Sequence, residues 1–187
     1  MNEAIERVAD AVRSGGVVAY PTEGLWGLGC DPRNEAAVQR ILRLKGRRLE
    51  QGLIVIAASG TQLVPFIQPL SPQMAERIRP SWPGPVTWIV PADEDCPAWL
   101  TGGRNTLAVR VSAHAPARRL CFAAETAIVS TSANRHGEPP ATNADQVREM
   151  FGDDIDAILD APLGDAPGAS EIRDGATGAV LRSAATP

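Results

Sequence analysis

The chain has 187 residues, 44% of them hydrophobic, and a net charge of -4. That length suits a single domain spanning 1–187 with a sizeable core, and the mild acidity argues against a protein built mainly to coat nucleic acid. Three widely spaced cysteines (Cys30, Cys96, Cys121) and two histidines (His114, His136) exclude a disulfide framework and a zinc or histidine-rich site. The charged, amphipathic start and the lack of a long apolar run predict a cytoplasmic protein without a membrane segment.

Ile5, Val8, Ala9 and Val12 recur at helical spacing, and Gly15-Gly16 stop that helix. Val17–Tyr20 reads as a short buried strand ended by Pro21. Asn34 is placed to cap a second helix carrying Val38, Ile41, Leu42 and Lys45. Leu53–Ala57 is a second buried strand, followed by helical stretches near 61–67 and 71–79, the latter with Ser71 as cap and Pro72 at its first position. A rigid Trp82–Pro85 turn leads into a strand at 86–90. Thr106–Val111 is a further strand, 116–124 a helix, and Ala127–Thr131 another buried strand. Asn143 opens a helix with Gln146 placed for a capping box, and 157–160 is a short strand. Segments 170–173 and 178–182 form a closing hairpin around Asp174-Gly175. The Gly- and Pro-containing segment 161–169 is the expected mobile loop. Strands and helices intermix throughout, so the class is α/β with a mixed sheet, because some connections are too short for helical crossovers.

Three clusters carry candidate chemistry. The first, Tyr20–Gly29, follows a strand and holds three glycines, which allow backbone to approach a ligand closely. It is neither a Walker A loop nor a dinucleotide fingerprint, and a tight structural turn is the alternative. The second is Lys45-Gly46-Arg47-Arg48. Of 18 lysines and arginines, Lys45 is the only lysine. A compact ammonium beside a guanidinium suits a polyphosphate, one neutralising charge and the other gripping two oxygens. Arg48 is better read as a solvated charge at a helix end. The third, Ser130–Asn134, sets polar side chains at the carboxyl end of a buried strand, where open α/β sheets bind ligands; a capped turn is the alternative. Arg110 stands inside an apolar strand and needs either an acidic partner or a bound carboxylate or phosphate, and Arg182 poses the same question. Neither histidine has a Ser or Cys at triad spacing. Trp26 is placed to border a pocket.

Together these clusters resemble the YrdC/TsaC family of threonylcarbamoyl-AMP synthases. Residues 20–29 are similar to the family's Y-P-T-[DE] opening motif, Lys45–Arg47 to its K-x-R, and Pro83–Thr87 to its P-G-P-[VT]-T. Ala108–Val111 is similar to its A-V-R-[VI], Ser130–Asn134 to its S-T-S-A-N, and Ala169–Asp174 to its P-S-x-[IV]-x-D, with Ala169 replacing the proline. The resemblance runs from about residue 5 to 183 in the family's order. It implies a twisted open mixed sheet with surrounding helices and a large, locally positive cavity. The implied reaction joins L-threonine, bicarbonate and ATP into L-threonylcarbamoyladenylate and pyrophosphate, serving N6-threonylcarbamoyladenosine formation at position 37 of tRNA.

On that resemblance Lys45 and Arg47 are the catalytic pair and hold the triphosphate, while Thr106, Ser132, Asn134 and Arg182 contact nucleotide oxygens. Arg110 pairs with the threonine carboxylate, with Thr22, Ser130 and Ser170 around it. Mg²⁺ is expected with ATP, held mainly through phosphates and water. The implied partners are threonine, bicarbonate, ATP and a downstream tRNA threonylcarbamoyl transferase, with tRNA or double-stranded RNA as a further candidate. Gly24, Arg48, Gln51 and Ile56 depart from the commonest family residues. The competing readings are a double-stranded RNA or tRNA-binding module, a carbamoyl-adenylate-forming relative, and a paralogue without catalysis, for which Gly24 is the clue.

Overall fold

The structure, a computed structural model, describes residues 2–184. Nine strands form one twisted mixed sheet, ordered β7-β1-β2-β6-β3-β5-β4-β8-β9. They are β1 (Val18–Pro21), β2 (Trp26–Gly29), β3 (Ile54–Ala57), β4 (Val86–Pro91), β5 (Thr106–Val111), β6 (Ile128–Ser132), β7 (Ala157–Ile158), β8 (Glu171–Asp174) and β9 (Val180–Arg182). The helices are α1 (Asn2–Arg13), α2 (Glu35–Lys45), α3 (Pro72–Ile78), α4 (Ala98–Thr101), α5 (Ala115–Ala123) and α6 (Ala144–Phe151).

The caps follow the sequence. Asn34 accepts from the Ala37 amide, Ser71 from Met74 and Asn143 from Gln146, each meeting an amide that the first helical turn leaves unpaired. Gln146 reaches back to the Thr142 amide, one residue earlier than a capping box requires. Helix α2 ends at Gly46 (φ 57°), whose left-handed backbone lets the Gly46 and Arg47 amides close on Arg43 and Leu42 carbonyls.

Three expectations change. Trp26–Gly29, within the cluster read as a ligand-binding loop or a tight turn, is strand β2, because its glycines pair antiparallel with β1 and β6. The helical stretch expected over 61–67 is a single 3-10 turn, Gly60–Leu63. The segment 161–169, expected as a mobile loop, is tied to the first cluster: the Gly164 amide donates to Thr22 O (3.0 Å) and the Ala166 amide to Glu23 O (2.8 Å).

One face of the sheet is half covered. Helices α1 and α5 pack over Tyr20, Ile56 and Ile128 with a buried cluster of their own. Two residues along, the same face presents Ile54 on β3 and Ser130 on β6 to a cleft instead. Ser130, Ile54, Ala108 and Ile89 lie directly opposite one another on four successive strands and make its floor. On β5 the alternation is complete: Thr106, Ala108 and Arg110 line the cleft, while Leu107, Val109 and Val111 are buried in the larger core with α2 and α6.

Candidate active site

The cleft encloses about 370 Å³. Among the described residues its lining includes Arg47, Arg104, Arg110 and Arg182 and contains no carboxylate. Eight of the ten residues singled out from the sequence line it: Thr22, Arg47, Thr106, Arg110, Ser130, Ser132, Ser170 and Arg182. Lys45 and Asn134 do not. They sit behind Ser132.

Lys45 is buried at the end of α2. Its Nζ donates to Ser132 O (2.6 Å), Asn134 O (2.9 Å) and Asn134 Oδ1 (2.9 Å). Ser132 Oγ in turn donates to Asn134 Oδ1 at 2.6 Å. The K-x-R and S-T-S-A-N segments thus meet as one unit, with every partner of the ammonium a neutral oxygen. Burial, and secondarily the Arg47 charge, push the Lys45 ammonium down to about 8.

Arg47 points along the cleft wall. Its Nη2 donates to Gly52 O (2.9 Å), and its buried Nε has no partner. Burial lowers its pKa, and so do the charges of Arg182 and Arg104. Arg104 donates to the carbonyls of Glu50 (2.8 Å) and Gln51 (3.2 Å), so two guanidiniums hold three consecutive carbonyls of one turn. Arg182 donates through Nη2 to Ser170 O (2.8 Å). Among the described residues none of these three arginines forms an ion pair. Carbonyls orient them without cancelling their charge.

Arg110 differs. Its Nη2 lies 3.2 Å from Glu23 Oε2, but without hydrogen-bond geometry, so the contact is Coulombic and both Glu23 Oε2 and Arg110 Nε stay unpartnered. Glu23 is held through its other oxygen by Ser112 Oγ (2.8 Å) and the Ala113 amide (2.9 Å). Arg110 therefore has its acidic partner and still presents an unused donor. Nearby, the Thr22 hydroxyl donates to Leu25 O (2.7 Å), leaving its oxygen free to accept. Ser170 Oγ shares a hydrogen bond with Thr87 Oγ1 (2.8 Å). Trp26 borders the cleft, as the sequence placed it. His114 is half-buried, with Nε2 3.0 Å from Pro162 O; burial is the main cause lowering its pKa.

Sequence reasoning missed Glu23, Arg104 and the Gln51-Gly52 wall. The acid beside Thr22 and the arginine just before β5 were visible, but only the folded register sets them against Arg110 and Arg47. Gly24, the departure from the family pattern, also acquires a cause. A Cβ there would collide with Gly168 O and lie 2.8 Å from Ala166 O, so the strap 161–169 packs directly on its backbone.

A cleft walled by arginines, with no acid in its lining among the described residues, at the carboxyl end of a buried strand offers charge and donors to an anionic ligand. The chain belongs to the Sua5/YciO/YrdC family: that family's model, described as "Telomere recombination", matches residues 10–184. It is 53% identical over 178 residues to the threonylcarbamoyl-AMP synthase of Halorhodospira halophila, covering 95% of this chain and 93% of the relative. It is 52% identical over 181 residues to that of Nitrosococcus oceani, covering 97% and 98%. The structure of P. abyssi Sua5 complexed with L-threonine matches with a TM-score of 0.87 at 36% identity, covering 93% of this chain and 51% of that one, so this chain spans about half of Sua5.

Proposed function

We propose that this chain is a threonylcarbamoyl-AMP synthase, condensing L-threonine, bicarbonate and ATP to L-threonylcarbamoyladenylate and pyrophosphate for tRNA modification. The observation that carries the reading is the split of cations in one cleft: Arg47, Arg104 and Arg182 free of carboxylates, and Arg110 half-paired with Glu23. Relatives of the same length bearing that name support it.

The threonine amine adds to bicarbonate with loss of water, giving a carbamate. A carbamate oxygen then attacks the α-phosphorus of ATP, and pyrophosphate leaves. Such a step depends on alignment of the reactants and on stabilising charge on the leaving phosphates more than on an acid–base pair. Arg47 and Arg182 hold the triphosphate together with Lys45, which acts through Ser132 and Asn134. Thr106 and Ser132 meet nucleotide oxygens. Arg110 receives the threonine carboxylate on its unused donor, and Thr22, Ser130 and Ser170 surround the amino acid. The lining offers Mg²⁺ no carboxylate, so any Mg²⁺ enters bound to the phosphates and water. The three free cysteines fit a cytoplasmic protein, and the unstable adenylate passes to a downstream tRNA threonylcarbamoyl transferase.

The test is pyrophosphate release from ATP, with threonine and bicarbonate each supplied or omitted. Release requiring both is expected. Release with another amine preferred would move the substrate, and no release alongside salt-sensitive RNA binding would favour a binding module.

A further inference from the structure

Arg182 reaches the cleft from the least supported element in the fold. Strand β9 is the sheet's last strand, all three of its residues are exposed, and Val180 and Leu181 pack into neither buried cluster. Its pairing with β8 carries an irregularity at Ile172/Arg173. Strand β9 pairs with β8 alone, whereas β8 is held on its other side by β4, so β9 is an exposed edge strand. Besides its pairing with β8 and the bonds from Arg182 to Ser170 O, what holds β9 lies at the opposite end, in the turn 175–179.

That turn is clamped by Arg77 of α3. Arg77 Nη1 donates to Gly175 O and Ala176 O, both at 2.6 Å. A Cβ on Gly178 (φ +81°) would lie 3.1 Å from Arg77 Cδ and Nε, so the turn folds against the arginine stem. The Gly175 amide donates to Ile89 O (2.8 Å), and a Cβ there would lie 3.3 Å from Met74 Sδ. Asp174 closes the turn from inside, accepting from the Thr177 amide (2.7 Å) and hydroxyl (2.9 Å). Among the described residues Arg77 forms no ion pair. Its bonds go to backbone of the hairpin, which it joins to α3 as a lever fixed at one end.

We propose that Arg77 is a positioning residue for the nucleotide site. By fixing the turn it sets where the far end of β9 presents the Arg182 guanidinium. The inference rests on Arg182 contacting the nucleotide. A shift of about 1 Å in a remote group can cost on the order of 10²-fold in rate, so a lost clamp is readable in turnover.

The experiment is a double-mutant cycle on the full chain, with Arg77→Ala, Arg182→Ala and both. Pyrophosphate release is read against ATP and threonine separately, and hydrogen exchange follows peptides over 170–184. Arg77→Ala is expected to raise the KM for ATP about tenfold, leave the threonine KM unchanged and speed exchange in β9 alone. In the Arg182→Ala background it should add less than about twofold, because the lever no longer carries anything. Arg77→Lys should restore part of the loss, and Arg79→Ala, which removes an exposed charge from the next turn, should change nothing. Equal ATP KM values for Arg77→Ala and the parent, or effects that multiply in the double variant, would overturn the proposal. An unimpaired Arg182→Ala would overturn it by removing Arg182 from the site. No turnover in the parent protein would instead remove the synthase reading, and unchanged β9 exchange in Arg77→Ala would then still decide against the clamp.

Discussion

Lys45 and Arg110 are both buried cations at strand or helix ends, and the fold satisfies them in opposite ways. Lys45 is surrounded by neutral oxygens, so no counter-charge cancels its ammonium just behind the cleft. Arg110 stands on the cleft wall against a carboxylate, so the pair is nearly neutral, but Arg110 Nε is unused. A unit charge at 4 Å is worth about 4 kcal/mol at an effective dielectric of 20, whereas an ion pair's field dies off quickly. On the proposed function, the Lys45 end, joined by Arg47, Arg104 and Arg182, is the one suited to attract a highly charged group over a distance, and the Arg110 end is the one suited to take a single carboxylate by direction. That reading divides one cleft into a site for charge and a site for shape.

The sharpest break of this comparison is Lys45→Met. It should reduce turnover below detection. It also costs folding stability: Asn134 O loses its donor, at about 1–3 kcal/mol if left dry, while Ser132 O keeps the Asn134 amide and Asn134 Oδ1 keeps Ser132 Oγ, so a fall in Tm of several degrees is expected in thermal unfolding. Arg110→Met should raise the threonine KM by roughly 10²-fold with a much smaller effect on the KM for ATP. It also strands Glu23, so stability falls here too, by about 3–5 kcal/mol at most. Equal effects on both substrates would erase the division of the cleft.

The pH response distinguishes the two cations without mutation. Lys45 titrates at about 8 in the folded protein, below its ordinary 10.5. Between these values the unfolded chain binds more protons, so the Lys45 contribution to stability rises with pH across that window. ATP affinity should move the other way. Triphosphate favours the ammonium, so binding takes up a proton near pH 8 and weakens above it. Calorimetry in buffers of different ionisation enthalpy should show that uptake, and Lys45→Met should abolish it. Threonine binding should show no such uptake.

Gly24→Ala should be milder. The new methyl has to displace the strap at Ala166–Gly168, next to Ala169 and Ser170 of the cleft wall, and a rise of about threefold to tenfold in the threonine KM is expected. Arg48→Ala should leave both KM values within about twofold, because Arg48 is exposed and bears on neither end.

Local signals in the sequence determined much of this. Apolar runs, the Asn34 cap and Gly15-Gly16 placed α1, α2, β3, β5 and β6, because periodicity and capping act within a few residues. The six motifs named the family and most of the cleft wall. The lone lysine pointed to a residue that the structure buries behind Ser132. Strand β2 escaped, since Trp26–Gly29 is a strand only because β1 and β6 pair with its glycines. The loop expected to be mobile is fastened because two distant carbonyls, Thr22 O and Glu23 O, accept its amides. Whether Arg110 met an acid or a ligand turned on Glu23, 87 residues earlier, and Arg104 gained meaning only beside Gly52. The sequence by itself determined which residues carry charge and where most of the helices and strands lie, because those choices are made largely by near neighbours. Only the tertiary structure decided which charges are cancelled, which are left facing the cleft and which lie behind it, because desolvation and pairing depend on contacts between residues far apart in the chain.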